Sequence, residues 1–448
     1  MVTRILCLLL CAASTELLAA PPPMGWNSWD AYGFTIDEAD FKANASVLAQ
    51  FRKHGWQYAV VDEGWYMRDP AGADLAARHY QLDDFGRLVP SLNRFPSASG
   101  GVGLRPLADW THRMGLKLGI HILRGIPKAA VEANSRIAAS HFHAADAADV
   151  SDSCPWDEGN YGVRDNAAGQ AYYDSIFRLY ASWGIDFVKV DCIADHPYRP
   201  VEIRQIAAAI RHAGRPMVLS LSPGPTNISH ADEVARYAQL WRISNDVWDG
   251  WTFEHNAASG DFPNGIRDAF DNLANWSRHA RPGRWPDADM LPWGMLGPHP
   301  GWGEPRRSRL SAAEQQTQFV LWAMAHSPLI LGCNLTQLDE GTRALITNRQ
   351  LIDIDQGAWQ SRPVERLPEG YENIRVWVAT PQRGRGRDAV VAAFNLGSEP
   401  VTLHPSWPML GVDEPPRSVM DIMTGKPAAA SGIDLQLAPH ASAVYRLR

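Results

Sequence analysis

Short apolar runs alternate with amphipathic stretches from Met24 to about Ile354. The runs lie near Gly25 to Trp29, Tyr58 to Asp62, Leu116 to Ile122, Phe187 to Asp191, Met217 to Leu221, Gln239 to Ile243, Asp289 to Leu291 and Pro328 to Leu331. Each is of strand length and apolar, as expected of buried parallel strands. Most are separated by a helical pattern, such as Asp37 to His54, Ala171 to Trp183 or Ala313 to Ala325. Eight strand–helix units predict an α/β fold, a (β/α)8 barrel whose functional groups gather at the C-terminal strand ends. After roughly residue 355 the helical patterns stop. Arg375 to Ala379, Ala389 to Asn395 and Ser442 to Leu447 read as strands divided by Gly, Pro and Asp turns, which predicts a C-terminal antiparallel β-sandwich. The expected organisation is a leader over 1–20, a barrel over 21–354 and a β-domain over 355–448.

The strand Phe187-Val188-Lys189-Val190-Asp191 carries a lysine two places before its terminal aspartate. Side chains alternate along a strand, so both charges share one face. A second run, Leu240-Trp241-Arg242-Ile243-Ser244-Asn245-Asp246, again ends in a cation and a carboxylate among aromatics. Each aspartate alone could simply cap the helix that follows. Two carboxylates at neighbouring strand ends, with Lys189 and Arg242 beside them, are what cleavage of a glycosidic bond requires.

Composition narrows the substrate. The net charge of −7, without a polybasic block, leaves no electrostatic footprint for nucleic acid or an anionic lipid surface. Eighteen tryptophans offer flat apolar faces for sugar rings, although core packing accounts for many of them. Arg4, the apolar segment Ile5 to Ala13 and Leu18-Ala19-Ala20 resemble a secretory signal with a mature start near Pro21. A secreted or periplasmic location is therefore expected, with no membrane attachment after cleavage. With the leader removed, Cys154, Cys192 and Cys333 remain. In an oxidising compartment a Cys154–Cys192 bridge is the candidate disulfide, and it would pin a loop beside Asp191. No CxxC pair or HExxH helix suggests a metal.

Met24-Gly25-Trp26-Asn27-Ser28-Trp29, Val61-Asp62-Glu63-Gly64-Trp65, Lys189-Val190-Asp191, Trp241-Arg242-Ile243-Ser244-Asn245-Asp246 and Trp285-Pro286-Asp287-Ala288-Asp289-Met290-Leu291 together resemble the ordered motif set of the melibiase-type α-galactosidases, glycoside hydrolase family 27. The resemblance spans nearly the whole chain past the leader. It implies a retaining double displacement that uses no cofactor. Asp191 matches the nucleophile and Asp246 the general acid/base. Lys189 would hold Asp191 ionised, while desolvation among Trp241, Trp248 and Trp251 would raise the pKa of Asp246. The resemblance also implies substrate contacts from Trp29, Asp62, Glu63, His121, Lys189 and Arg242. Asp287 and Asp289 would either touch the sugar or buttress their loop, and His121 could equally be a core histidine. The implied partner is an oligosaccharide or small glycoside, with a homodimer possible through the β-domain.

Two departures bear on the sugar. The family usually shows two aspartates where this chain has Asp62-Glu63. The longer glutamate would crowd the exocyclic hydroxymethyl of galactose, which β-L-arabinopyranose lacks while keeping the same ring stereochemistry. A β-L-arabinopyranosidase is thus the first alternative to an α-galactosidase. Ser222, after the fifth strand, falls near the residue that reads the 2-substituent, which makes α-N-acetylgalactosaminidase the next. A non-catalytic sugar-binding barrel comes last, because it would need neither Asp191 nor Asp246.

Overall fold

The computed structural model describes residues 20–70, 80–254, 262–297, 304–365, 367, 369–382 and 388–448. The expected leader therefore lies outside the described residues except for Ala20. Eight parallel strands form one sheet: β1 (Met24–Asn27), β2 (Tyr58–Val61), β3 (Lys117–Leu123), β4 (Phe187–Asp191), β5 (Val218–Leu221), β6 (Leu240–Arg242), β7 (Trp285–Asp287) and β8 (Leu329–Leu331). From β1 to β7 each strand pairs with the next in sequence, and β8 pairs with β1. Just beyond β7, Leu291 bridges Leu331, its amide reaching the Ile330 carbonyl at 2.7 Å, which closes the barrel.

Seven strands fall where the hydrophobic pattern places them, to within one or two residues at their ends. The seventh does not. The strand is Trp285–Asp287, and the expected run Asp289 to Leu291 is the loop that leaves it. Pro286 cuts the run of ladder donors, and Asp289 adopts φ +85, which turns the chain out of the extended conformation.

Alternation along the strands sorts the core. In β4, Val188 and Val190 face outward into the main cluster beneath the helices, whereas Phe187 packs inside with Tyr58, Val60, Val218 and Leu240. Lys189 and Asp191 follow Phe187 on the inner face. Gly119 opposite Phe187 leaves room for that ring, since a Cβ there would stand 3.1 Å from Phe187.

The helices Glu38–Leu48, Ala167–Trp183 and Ala312–Ala325 realise three of the expected helical patterns. Ser311 and Glu314 form a capping box on the last of these. The same helix carries the C-terminal region. Gln316 Nε2 donates to the Ser442 carbonyl at 3.1 Å, and Thr317 Oγ1 donates to the His440 carbonyl at 2.7 Å.

Beyond the helix Arg349–Gln356, the chain forms β9 (Trp359–Pro363), β10 (Ile374–Pro381), β11 (Ala389–Asn395), β12 (Val401–Leu403), β13 (Val419–Asp421), β14 (Pro427–Ala428), β15 (Leu435–Leu437) and β16 (Ser442–Leu447). A six-stranded antiparallel sheet in the order β9-β10-β11-β16-β13-β14 faces the β12–β15 pair. Ile374, Val376 and Val391 pack there against Leu403, Leu435 and Leu437. This is the expected sandwich.

Gly25 in β1 sits against β2 so closely that a Cβ would stand 2.3 Å from the Tyr58 carbonyl oxygen, a backbone atom that cannot swing away. Gly25→Ala is expected to cost about 1–3 kcal/mol of stability by urea unfolding. Gly432→Ala, with nothing within 4 Å, should change little. Equal stability of the two variants would contradict the packing described.

Candidate active site

The C-terminal ends of the strands bring the predicted residues to one place. Asp62 follows β2 and is 1% exposed. Its Oδ2 accepts from Asn27 Nδ2 at 2.5 Å and from Lys189 Nζ at 3.1 Å, while its Oδ1 accepts from the Glu63 amide at 2.9 Å. Burial opposes its charge, but Lys189, His121 and these hydrogen bonds together hold its pKa at about 2. Glu63 beside it is also buried. Lys189 is largely enclosed, with its side chain 14% exposed, and the combined field of Asp62, Asp191 and Asp246 outweighs desolvation and keeps its ammonium charged.

Asp191 ends β4. Its Oδ1 accepts from the Cys192 amide at 2.6 Å, and its Oδ2 lies 3.3 Å from His121 Nε2. Burial again works against ionisation. The His121 hydrogen bond and charge, with Lys189 and the Cys192 N–H, more than offset it and lower the pKa. His121 is 1% exposed and aimed at this carboxylate, so it is not an isolated core histidine.

Asp246 departs from its expected surroundings. A third of its side chain, 34%, is exposed, and its Oδ1 lies 3.2 Å from Arg242 Nη2, so the desolvation among tryptophans does not occur. The desolvated carboxyl is Asp289. It is buried 2.6 Å from the same Arg242 nitrogen, accepts from the Val247 amide at 2.7 Å, and is pushed up to about 7, chiefly by burial. Asp287 accepts from the Asp289 amide at 2.9 Å. Asp289 thus ties Arg242 to the Asp246 loop, and Asp287 holds the Asp289 backbone.

Trp29 stands half-buried, its ring edge-on to Phe34 at 5.0 Å between centroids. Ser222 is buried, with its amide on the Val190 carbonyl and its own carbonyl accepting from Ile193. That places it beside the segment following Asp191.

Cys154 and Cys192 form the expected disulfide, with Cα atoms 6.0 Å apart. Cys333 is a buried free thiol. The bridge joins the end of β4 to a small three-stranded sheet inserted after β3 (Ile126–Pro127, Ala148–Ser153 and Asn160–Val163).

The sequence reading passed over three supports. Arg124, at the end of β3 and 1% exposed, donates to the Cys192 carbonyl, Asp152 and Glu202, and so braces the disulfide from below. A charge just past an apolar strand, as in Leu123-Arg124, was the available signal. Asp249 is wholly buried and holds both Arg306 and Arg309, locking the loop after β7 to the one that carries Asp246. Asp30 lies buried near the acidic cluster, and desolvation followed by the field of Asp289 and Asp246 pushes it well above the usual carboxylate range. Nothing in the local sequence marked either Asp249 or Asp30, because their partners lie far along the chain.

Among the described residues no group of three or more His, Cys, Asp or Glu is arranged to hold a metal, and no helix is long and apolar enough to cross a membrane. The site offers a carboxylate of lowered pKa with both oxygens engaged, a second carboxylate one-third exposed, and the cations Lys189 and Arg242 nearby. A (β/α)8 barrel with two such carboxylates at its strand ends has the groups that cleavage of a glycosidic bond requires.

Comparison with known proteins gives the family. Residues 156–357 match the family model for alpha galactosidase A. The chain is 38% identical to the family 27 β-L-arabinopyranosidase of Geobacillus stearothermophilus, with a TM-score of 0.87 over 96% of this chain and 97% of that one. It is 28% identical to alpha-galactosidase A of Cellvibrio japonicus, over 83% of this chain and 76% of that protein. An alpha-galactosidase of Oryza sativa subsp. japonica is 26% identical over 96% and 85%. The chain belongs to glycoside hydrolase family 27.

Asp62 titrates near 3.8 in an unfolded chain and at about 2 here. A depressed carboxylate stabilises the fold above its unfolded value, and that contribution disappears as pH falls through the folded one. The stability gap between wild type and Asp62→Asn should therefore shrink by about 2 kcal/mol between pH 5 and pH 2. Urea unfolding across that range provides the check, and a gap independent of pH would contradict the assignment.

Proposed function

We propose that this chain is a retaining exo-glycoside hydrolase that releases terminal α-D-galactose from oligosaccharides or glycoconjugates. The observation that carries the reading is the contrast between its two strand-end carboxylates. Asp191 is ionised and fixed by donors on both oxygens, as a nucleophile needs. Asp246 is partly open to solvent beside Arg242, where a leaving oxygen and later a water can reach it.

In the first step an Asp191 oxygen attacks the anomeric carbon as the bond to the leaving oxygen breaks, and Asp246 delivers a proton to that oxygen. In the second, Asp246 removes a proton from water, which attacks the same carbon and frees Asp191. Asp62, Glu63, Lys189 and Arg242 supply acceptors and donors for the ring hydroxyls. The disulfide supports a role in an oxidising compartment, in agreement with the expected leader.

A second reading, hydrolysis of β-L-arabinopyranosides by the same chemistry, is favoured by Glu63. This residue is 7% exposed beside Asp62, with one methylene more than the aspartate usual in the family. Likeness to the Geobacillus stearothermophilus arabinopyranosidase supports it as well.

Asp191→Ala should reduce kcat by a thousandfold or more, on the order seen when a covalent nucleophile is removed. The wild-type enzyme should release the α-anomer of galactose first by proton NMR; an inverted product would overturn the double displacement. Side-by-side kcat/KM values on p-nitrophenyl α-D-galactopyranoside and β-L-arabinopyranoside decide between the two sugars. If the arabinoside is preferred, Glu63→Asp should move the ratio towards galactose by roughly 10- to 200-fold, the range for one methylene in a pocket.

A further inference from the structure

We propose that Trp156 and His196 form the leaving-group subsite, which receives the pyranose ring on the far side of the cleaved bond. The proposal rests on the reading of the site as a retaining exo-glycosidase. Trp156 is the most exposed tryptophan among the described residues, at 37%. It lies two residues after Cys154, whose sulfur is bonded to Cys192, the residue immediately following Asp191.

The backbone around the indole is held in place. Asp157 is 5% exposed, accepts from the Tyr80 hydroxyl at 2.9 and 3.0 Å on its two oxygens, and accepts from the Gly159 amide at 2.8 Å. A large apolar ring is thus presented to solvent from a fixed loop at the rim of the barrel.

The second wall comes from the segment after β4. The His196 imidazole stands 5.2 Å from the Trp156 ring, with the planes inclined at 55°, so the two rings meet at an open angle. Asp195 takes the His196 Nδ1 at 2.7 Å, which leaves Nε2 to meet a ligand hydroxyl. His196 lies five residues after Asp191 on the segment that leaves β4, and Trp156 is tied to that segment through Cys154–Cys192, so the pair of rings stands at the same strand end as Asp191.

An indole face next to hydrogen-bonding groups suits a pyranose, whose ring carries C–H bonds on one face and hydroxyls at its edge. A purely lipidic aglycone would leave His196 Nε2 without a partner and would desolvate the Asp195–His196 pair, both of which count against it.

The test separates the two sides of the bond. Glycosyl fluorides occupy only the sugar pocket, because their leaving group is one atom. Trp156→Ala should leave kcat/KM on α-D-galactopyranosyl or β-L-arabinopyranosyl fluoride within about twofold of wild type. It should lower kcat/KM about tenfold or more on a disaccharide with the same terminal sugar, as loss of one stacked aromatic implies. Trp156→Phe should restore most of the loss. An equal fall on both substrates would mean that the indole only holds the loop, and an unchanged disaccharide rate would mean that no sugar stacks there; either outcome overturns the subsite. A wild-type enzyme inactive on both fluorides would instead overturn the glycosidase reading on which the subsite depends.

Discussion

The structure depends on one largely enclosed cation. Lys189 sits inside the barrel mouth with its ammonium 3.1 Å from Asp62 and in the field of Asp191 and Asp246. A buried ammonium is costly without partners, and buried carboxylates are equally so. Each stabilises the other here, so that Asp62 and Asp191 remain ionised in a site where burial alone would protonate them. At Asp30 the other outcome holds, because burial and the like charges of Asp289 and Asp246 outweigh Lys189 and drive its carboxyl well up.

The same balance is repeated around Arg242, which lies between an exposed and a buried aspartate. Its guanidinium is shared by Asp246 and Asp289 through one nitrogen. Burial divides the labour between them, because the buried member ties the loop through the Val247 amide while the open member is free to meet substrate. Further out, the loops are fixed by a covalent bond on one side and an ion cluster on the other. Cys154–Cys192 fastens the insertion after β3, and Asp249 with Arg306 and Arg309 fastens the loop after β7. A rigid scaffold carrying loops held at both rims suits chemistry that needs its groups placed within fractions of an ångström.

Much of this was legible from the chain because it follows from period and position. Phe187, Lys189 and Asp191 had to share a face once the segment was a strand, and strand ends in an alternating α/β chain had to converge. The seventh strand was misplaced by four residues because Pro286 makes the true strand look like a breaker, while Met290 and Leu291 look like core. The surroundings of Asp246 were misjudged for a related reason. Nearby tryptophans in sequence suggested a dry pocket, but Trp241 points into the core against Trp276, at 6.0 Å between ring centroids, and leaves the carboxylate in the open.

The sequence by itself determined the barrel, the sandwich that follows, the two strand-end aspartates and their cations, since each is written in local alternation or in short ordered motifs. Only the tertiary structure decided which carboxyl shares Arg242 from a buried position, which arginines hold Asp249, and that Arg124 braces the disulfide beside Asp191. Those pairings join residues as much as 78 positions apart. Their energies depend on burial and on distances of a few ångströms, which no local pattern encodes.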